Sequence, residues 1–444
     1  MSKLKIARAR MKPYLQLNSP RVPRLFPVMS ATYDVVLYGA TGFTGQIVAQ
    51  YLAAHPQQPK VAFAGRNLTK VQSVVEKLTD VSAERVKSIG VLEASASNYE
   101  SLLKLASSTR VIINTVGPYS QLGGYDVIRA AIEAGVGYVD LTGETGFYAK
   151  VAKELHESAQ AKRAVIVPSS GFDSLPFDIT TYLASEEIKR ADPNGTIADA
   201  VCAYKMKGGL SGGTLASAIT MREDPDQMRR AKPYWLSPVQ GSSSPPAGIV
   251  ALPQSGATGV ASPFTPHNTR IVYRTWGLLQ SDPKRSYGPT FTYNEGLVAP
   301  NSIVAYVMFT VFSVINFLLI HVSLFGQLLL RLTPQGTGPS VKEQINGSVT
   351  LRTLVTARNS NAKAIAEFEA KGDPGYFMTS RFLAETALAI ALDSERLSPL
   401  AQAGGVLTPA AIGGEIVASR LGTYAGVTIK SAIVSDRTDI TAPL

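Results

Sequence analysis

The sequence predicts an α/β protein, with a doubly wound parallel sheet on the N-terminal side. A mixed α/β second domain follows and carries a hydrophobic, membrane-associating segment. Three observations point there. A buried strand, a glycine turn and a helix succeed one another between Asp34 and Leu52. Apolar runs then alternate with helix-patterned segments to about residue 170. Far downstream, Ile303 to Leu330 contains no Asp, Glu, Lys or Arg.

The first element is Asp34-Val-Val-Leu-Tyr38, followed by Gly39-Ala40-Thr41-Gly42-Phe43-Thr44-Gly45 and then Gln46 to Leu52. Glycines let the backbone turn tightly and come close to a pyrophosphate. The helix behind them offers unpaired N–H groups and the positive end of its dipole to that anion. The strand before and the helix after are the context such a motif needs to bind a dinucleotide. Val61-Ala-Phe-Ala64 reads as the next central strand and ends in Gly65-Arg66-Asn67. Sites for NAD place a carboxylate near this point to hold the ribose 2′-hydroxyl. Here the residue is Arg66, and no carboxylate follows until Glu76. A guanidinium pairs with the 2′-phosphate of NADP, and Lys70 stands about one helical turn on. The expected cofactor is therefore NADP, although Arg66 would also suit a solvated loop.

The following elements keep the α/β alternation. Leu68 to Leu78 reads as helix, Val86 to Val91 as strand, Tyr99 to Ala106 as helix and Val111 to Asn114 as a buried strand. Val127 to Ala134 is helical, Tyr138 to Leu141 a strand, Phe147 to Gln160 a helix and Ala164 to Val167 a strand. Six strands fit the 3-2-1-4-5-6 order of a full Rossmann sheet over residues 31–170. Residues 171–444 read as the mixed α/β substrate domain. Within it, Ile197 to Lys207, Ile271 to Trp276 and Thr290 to Tyr293 are expected strands. The stretch 237–268, with Ser242-Ser-Ser-Pro-Pro246, reads as a surface excursion.

The 444 residues call for two or more domains, since single cores stop growing near ~250–300 residues. The one cysteine, Cys202, cannot form an internal disulfide, and with four scattered histidines it argues against a structural zinc site; no metal is expected. The net charge is +10, but residues 1–28 hold Lys3, Lys5, Arg8, Arg10, Lys12, Arg21 and Arg24 and no acid. Without those seven the body carries +3, which speaks against nucleic-acid binding. Residues 1–30 read as a basic leader without fixed structure. Three readings remain open for it: a mitochondrial targeting segment, an arm drawn to anionic lipid, or an extension upstream of a start at Met29.

The uncharged run 303–330 would reach ~42 Å as one helix, more than the ~30 Å of a bilayer core. A simple span would separate the later globular patterning from the nucleotide domain. A hairpin turning near Asn316, or a helix lying in the interface, keeps the halves together. The alternative is a homodimer interface or a buried helix pair.

In a doubly wound sheet, ligands sit beyond the carboxyl ends of the strands. The fourth strand ends in Asn114-Thr-Val116-Gly117-Pro-Tyr119, the fifth in Asp140-Leu-Thr142-Gly-Glu144, and the sixth runs into Ser169-Ser-Gly-Phe-Asp-Ser-Leu-Pro-Phe-Asp178. Val116 and Gly117 are placed to pass their backbone beside the nicotinamide. Tyr119 is the first candidate donor to a developing oxyanion, with Asn114 and Thr142 assisting. Asp and Thr also cap turns and helices, which is the structural reading of the same residues. Short-chain dehydrogenases use a Tyr with a Lys four residues later, and no Tyr here has that partner.

Together with Gly212-Gly-Thr214, Gly336-Thr-Gly-Pro-Ser340, Gly372-Asp-Pro-Gly-Tyr376 and Gly404-Gly-Val-Leu-Thr-Pro409, these motifs run in order from about residue 31 to the end. The set resembles the saccharopine dehydrogenase-like oxidoreductases. That resemblance implies a Rossmann domain with a mixed second domain, membrane or lipid-droplet association in eukaryotic members, and kinship with trans-acting enoyl reductases of polyketide lipids. The expected function is NADP(H)-dependent reduction of a lipid-like enoyl or carbonyl substrate at the cytosolic face of a membrane or lipid droplet. The alternatives are saccharopine-type amino-acid chemistry, for which Arg129, Lys205 and Lys207 are available, and a non-catalytic NADP-binding lipid-surface protein.

Overall fold

The computed structural model describes residues 31–209, 219, 232–241, 248–332 and 337–434. The basic leader, Gly212-Gly-Thr214, Ser242 to Pro246 and Gly336 lie outside the described residues.

Among the described residues, two seven-stranded sheets organise the chain. The first is built from β1 (Tyr33–Tyr38), α1 (Phe43–Ala53), β2 (Val61–Gly65), α2 (Leu68–Glu76), α3 (Ala83–Ser88), β3 (Gly90–Glu93), α4 (Tyr99–Ser107), β4 (Thr109–Asn114), α5 (Gly124–Ala134), β5 (Gly137–Asp140), α6 (Thr145–Ala161) and β6 (Val165–Val167). Val35 and Leu37 of β1 are buried toward one face, and Val36 and Tyr38 toward the other. A parallel strand covered on both sides must be apolar throughout, which is why β1 and β2 read as continuous hydrophobic runs.

The second sheet takes in β7 (Ile197–Lys207), β8 (Ile249–Leu252), β9 (Ala257–Val260), β10 (Thr292–Ala299), β11 (Ser348–Ala357), β12 (Lys363–Lys371) and β14 (Val427–Ile433). Its order is β14-β12-β11-β7-β10-β9-β8, mostly antiparallel, with β7 and β10 parallel. The helices of this second half of the chain are α7 (Leu175–Ala191), α8 (Thr265–Leu279), α9 (Ser302–His321), α10 (Ser323–Leu332), α11 (Val341–Asn346), α12 (Thr379–Leu392), α13 (Pro399–Ala403) and α14 (Gly414–Tyr424). A short π-turn, Pro374–Met378, precedes α12.

The two halves are interleaved. A two-residue strand from the far end of the chain, β13 (Gly405–Val406), pairs with β6 and makes the first sheet β13-β6-β5-β4-β1-β2-β3. Helix α12 lies over β1, β4 and β5 and against α1. Helix α7 leaves β6 and packs on β11, β12 and β14. One hydrophobic core therefore runs from Leu37 and Leu52 through Phe177 and Tyr204 to Phe368 and Phe382. The loop between β6 and α7 sits where the two sheets meet.

Four expectations change. The strand expected at Val86–Val91 is a helix end plus a strand, α3 then β3, because Ser82 caps α3 by accepting the Arg85 N–H at 3.2 Å. The strand expected at Ile271–Trp276 is the middle of α8. That helix is buried on nearly every side, its polar residues Asn268, Arg270, Arg274 and Thr275 included, so no solvent face marks a helical period. The excursion 237–268 contains the β8–β9 hairpin, which extends the second sheet through β10. The hydrophobic run breaks at Val322, between α9 and α10, six residues later than Asn316.

Candidate active site

The glycine turn is shaped by what it touches. Gly39 has φ +91°, and its N–H donates to Ala64 O at 3.0 Å. A Cβ on Gly39 would press on Thr115 and Val116 at 2.7 Å, and one on Gly45 would overlap the Gly39 carbonyl oxygen. Ala40 is buried, while Thr41 and Gly42 are exposed at the crest. Gly42 begins α1 without a side-chain cap. The first-turn N–H groups of Phe43, Thr44 and Gly45 thus have no intrahelical acceptor and are free for an anion. From the second half of the chain, Tyr376 meets the Phe43 ring edge-on at 5.4 Å.

Arg66 stands exposed just beyond β2, and Lys70 is exposed in the first turn of α2. Asn67 caps that helix by accepting the Lys70 N–H at 2.9 Å. Among the described residues neither cation forms an ion pair. Burial raises the Tyr38 phenol above its ordinary value while the Arg66 charge opposes the rise, which puts the guanidinium near the end of β1, beside the glycine turn. The glycine cradle, the free helix N-terminus and the unpaired Arg66 fit a dinucleotide carrying a 2′-phosphate.

The sequence-selected rim residues converge into one hydrogen-bond network. Asn114 Nδ2 donates to Tyr138 Oη at 3.1 Å, and its Oδ1 accepts the Val116 N–H at 2.9 Å. Tyr138 donates to Asp140 Oδ2 at 2.8 Å, and Asp140 Oδ1 accepts the N–H groups of Thr142 and Ser169, both at 2.9 Å. Thr142 Oγ1 accepts the Glu144 N–H at 3.1 Å. Glu144 accepts the Tyr119 N–H at 2.7 Å and the Ser120 hydroxyl at 2.5 Å. The Tyr119 hydroxyl donates to Asn114 O at 3.1 Å, and its ring stacks on Phe147 at 5.9 Å. The peptide bond between Gly117 and Pro118, in the turn that carries Val116 past this network, is cis.

Burial pushes Asp140 up to about 6 against the pull of its three donors. Burial, with the Asp140 charge adding to it, raises Tyr119 and Tyr138 well above the ordinary tyrosine value.

Three further residues belong to this edge. Ser169, at φ +58°, donates its hydroxyl to Thr142 O at 2.6 Å and lies 3.0 Å from His267 Nε2. His267 Nδ1 lies 2.9 Å from Thr145 Oγ1. Burial, reinforced by Arg270, lowers His267 to about 3, so it is neutral. With the Ser169 proton given to Thr142, the consistent tautomer has Nε2–H donating to Ser169 and Nδ1 accepting from Thr145. Asp173 is the third, partly buried in the same loop. Ser169 and Asp173 were signalled by their place after the sixth strand. His267 comes from α8, 98 residues beyond Ser169, and carried no local signal. Among the described residues no cluster of three His, Cys, Asp or Glu side chains could hold a metal ion.

Residues 35–167 match the family model of the saccharopine dehydrogenase NADP binding domain. The chain is similar to a protein of Mycobacterium tuberculosis named as a trans-acting enoyl reductase, at 35% identity over 429 residues, covering 91% of this chain and 99% of that one. It is also similar to a trans-acting enoyl reductase of Mycobacterium leprae, at 31% identity over 427 residues and 98% of that protein. The structure aligns with the L-Glu-forming saccharopine dehydrogenase of Saccharomyces cerevisiae over 91% of this chain and 100% of that one, at 15% identity and a TM-score of 0.49. The chain belongs to the saccharopine dehydrogenase-like family of NADP-dependent oxidoreductases.

Proposed function

We propose that the protein reduces the carbon–carbon double bond of an enoyl group on a lipid-like substrate, at the cytosolic face of a membrane or lipid droplet. The observation that carries this reading is the union of two features in one chain. One is a nucleotide cradle beside a polar rim; the other is a pair of apolar helices left unburied. Within α9, the stretch Ser302–Leu319 has mean hydropathy 2.1 and is only 6% buried. By length and composition α9 is able to cross a membrane. The relatives' names supply the reaction class.

NADPH, when bound, supplies the hydride. Residues 39–45 would hold its pyrophosphate, Arg66 and Lys70 its 2′-phosphate, and Val116 and Gly117 would flank the nicotinamide. The side chains of Asn114, Tyr119 and Thr142 are engaged with Tyr138 and with backbone groups, and would fix the loops that shape the rim. Saccharopine-type chemistry would need cations facing the rim. Arg129 instead sits on α5, paired with Asp126 at 3.2 Å on the surface.

The test is titration of NADPH and NADH into wild type and Arg66→Ala, followed by NADPH oxidation with a trans-2-enoyl thioester. The expected result is tight NADPH binding that weakens about 10–100-fold in the variant, the scale of a charge-assisted pair, with NADH binding little changed and the enoyl thioester reduced. Failure to bind either nucleotide would overturn the reading. Binding without turnover would favour a non-catalytic NADP-binding lipid-surface protein.

A further inference from the structure

We infer that Asp173 is the acid that protonates the substrate after hydride transfer, an inference that rests on the enoyl-reductase reading. The argument is one of position and of what remains unspent. Asp173 lies in the turn between β6 and α7, where the two sheets meet at the carboxyl edge of the first. The backbone around it is held from several sides. The Ser170 N–H donates to Asp140 O at 2.7 Å, the Phe172 N–H to Thr379 Oγ1 at 2.9 Å and the Leu175 N–H to Gly171 O at 3.0 Å. The Asp173 carbonyl accepts the Ser174 hydroxyl at 2.6 Å. Its carboxylate, by contrast, makes no hydrogen bond or ion pair among the described residues. Oδ2 stands 4.0 Å from where a side chain on Gly143 would begin, so it faces the bare glycine of the loop after β5.

The other carboxylates of this region are committed. Asp140 and Glu144 hold the rim loops. Asp178 accepts the Thr275 hydroxyl at 2.5 Å and the Ala410 N–H at 2.9 Å. Glu295 accepts Asn268 Nδ2 at 3.0 Å and the Tyr293 hydroxyl at 2.9 Å. Asp373 accepts the N–H groups of Gly209 and Tyr376 at 2.8 and 2.7 Å. The hydroxyl protons of Tyr119 and Ser169 are given to backbone carbonyls. Desolvation raises Asp173 to about 7, so a substantial fraction carries a proton near neutrality. A fixed backbone, a free carboxyl and a partly open surface are what a general acid needs.

The step balances as follows. The hydride forms a C–H bond at the β-carbon, and the π pair of the double bond moves toward the α-carbon and its carbonyl as an enolate. Asp173 gives its proton to the α-carbon, which completes the saturated acyl group. The oxidised cofactor would then depart, and Asp173, whose residue is only partly buried, takes up a proton from solvent once the product has left.

The experiment uses the full-length protein with NADPH and the N-acetylcysteamine thioester of trans-2-decenoic acid. Asp173→Asn is expected to lower kcat by about 100-fold or more, the scale of general acid catalysis, with the NADPH Kd within twofold of wild type. Asp173→Glu should recover part of the rate. If the Asn variant loses NADPH binding, Asp173→Ser takes its place. Turnover of Asp173→Asn within about threefold of wild type overturns the inference. So does an active Asp173→Asn beside an inactive Tyr119→Phe, which would assign the proton to Tyr119. Wild type that binds NADPH but leaves the thioester unreduced overturns the enoyl reading itself, an outcome seen without any variant.

Discussion

Gly45 has no room for a side chain, because a Cβ there would meet the Gly39 carbonyl across the turn. Placing Ala for Gly inside a helix ordinarily stabilises by roughly 0.5–1 kcal/mol. Here the sign should reverse: Gly45→Ala should lower Tm and abolish NADPH binding, and a Tm equal to or above wild type would refute the close contact. Asp178 makes a different residue-scale prediction. Burial raises it from 3.8 to about 7. Between about pH 4 and 7 the folded chain therefore holds a proton that the unfolded chain has released, so the folding contribution of this group grows as pH falls through that window. Urea unfolding from pH 8 to 5 should show wild type gaining stability relative to Asp178→Asn; parallel curves would show that the carboxylate is not desolvated. The glycine spacing and Arg66 were legible in the sequence because the turn and its phosphate chemistry are local. The pairing of Asp178 with Thr275 and Ala410 was not, because those partners lie 97 and 232 residues away.

Helices α9 and α10 expose side chains that a soluble surface hides. Ile303 is 78% exposed, Phe317 58% and Leu324 74%. A carboxylate in hydrocarbon costs about 2.5–3.5 kcal/mol at a helix centre. Val314→Asp combined with Phe317→Asp should therefore prevent flotation with phospholipid vesicles while leaving NADPH affinity unchanged. Vesicle binding that survives both changes would assign this face to a protein interface, such as a second copy of the chain. The sequence revealed this element because 28 uncharged residues need no tertiary context to be noticed. Helix α8 shows the opposite case: Ile271, Val272, Tyr273 and Trp276 are all buried, so β-branched and aromatic content suggested a strand while long-range packing selected a helix.

At the scale of the molecule, the nucleotide half and the C-terminal half are tied by a buried charge cluster. Glu385 of α12 accepts the Tyr51 hydroxyl at 2.6 Å, lies 2.9 Å from His55 Nε2 and accepts Arg420 Nε at 2.8 Å. Arg420 also donates to Asp393 at 2.7 Å and to Gln57 at 2.6 Å. Removing one partner leaves a buried cation undercompensated, which costs about 3–5 kcal/mol. Glu385→Ala should lose stability on that scale in denaturant unfolding, with one transition for both halves because the core is continuous. Two separate transitions would mean that the halves fold independently.

The sequence alone determined the βαβ course of the first half, the cofactor turn and the apolar segment. Each follows from short-range chemistry: glycine freedom, strands buried on both faces, and the absence of charge. Tertiary structure decided that Gly405–Val406 completes the first sheet and that His267 reaches Ser169. It also decided that Tyr119 is held within the rim while Asp173 is left free. Those outcomes depend on which distant groups satisfy each polar atom, and that is fixed only when the two sheets close on one another.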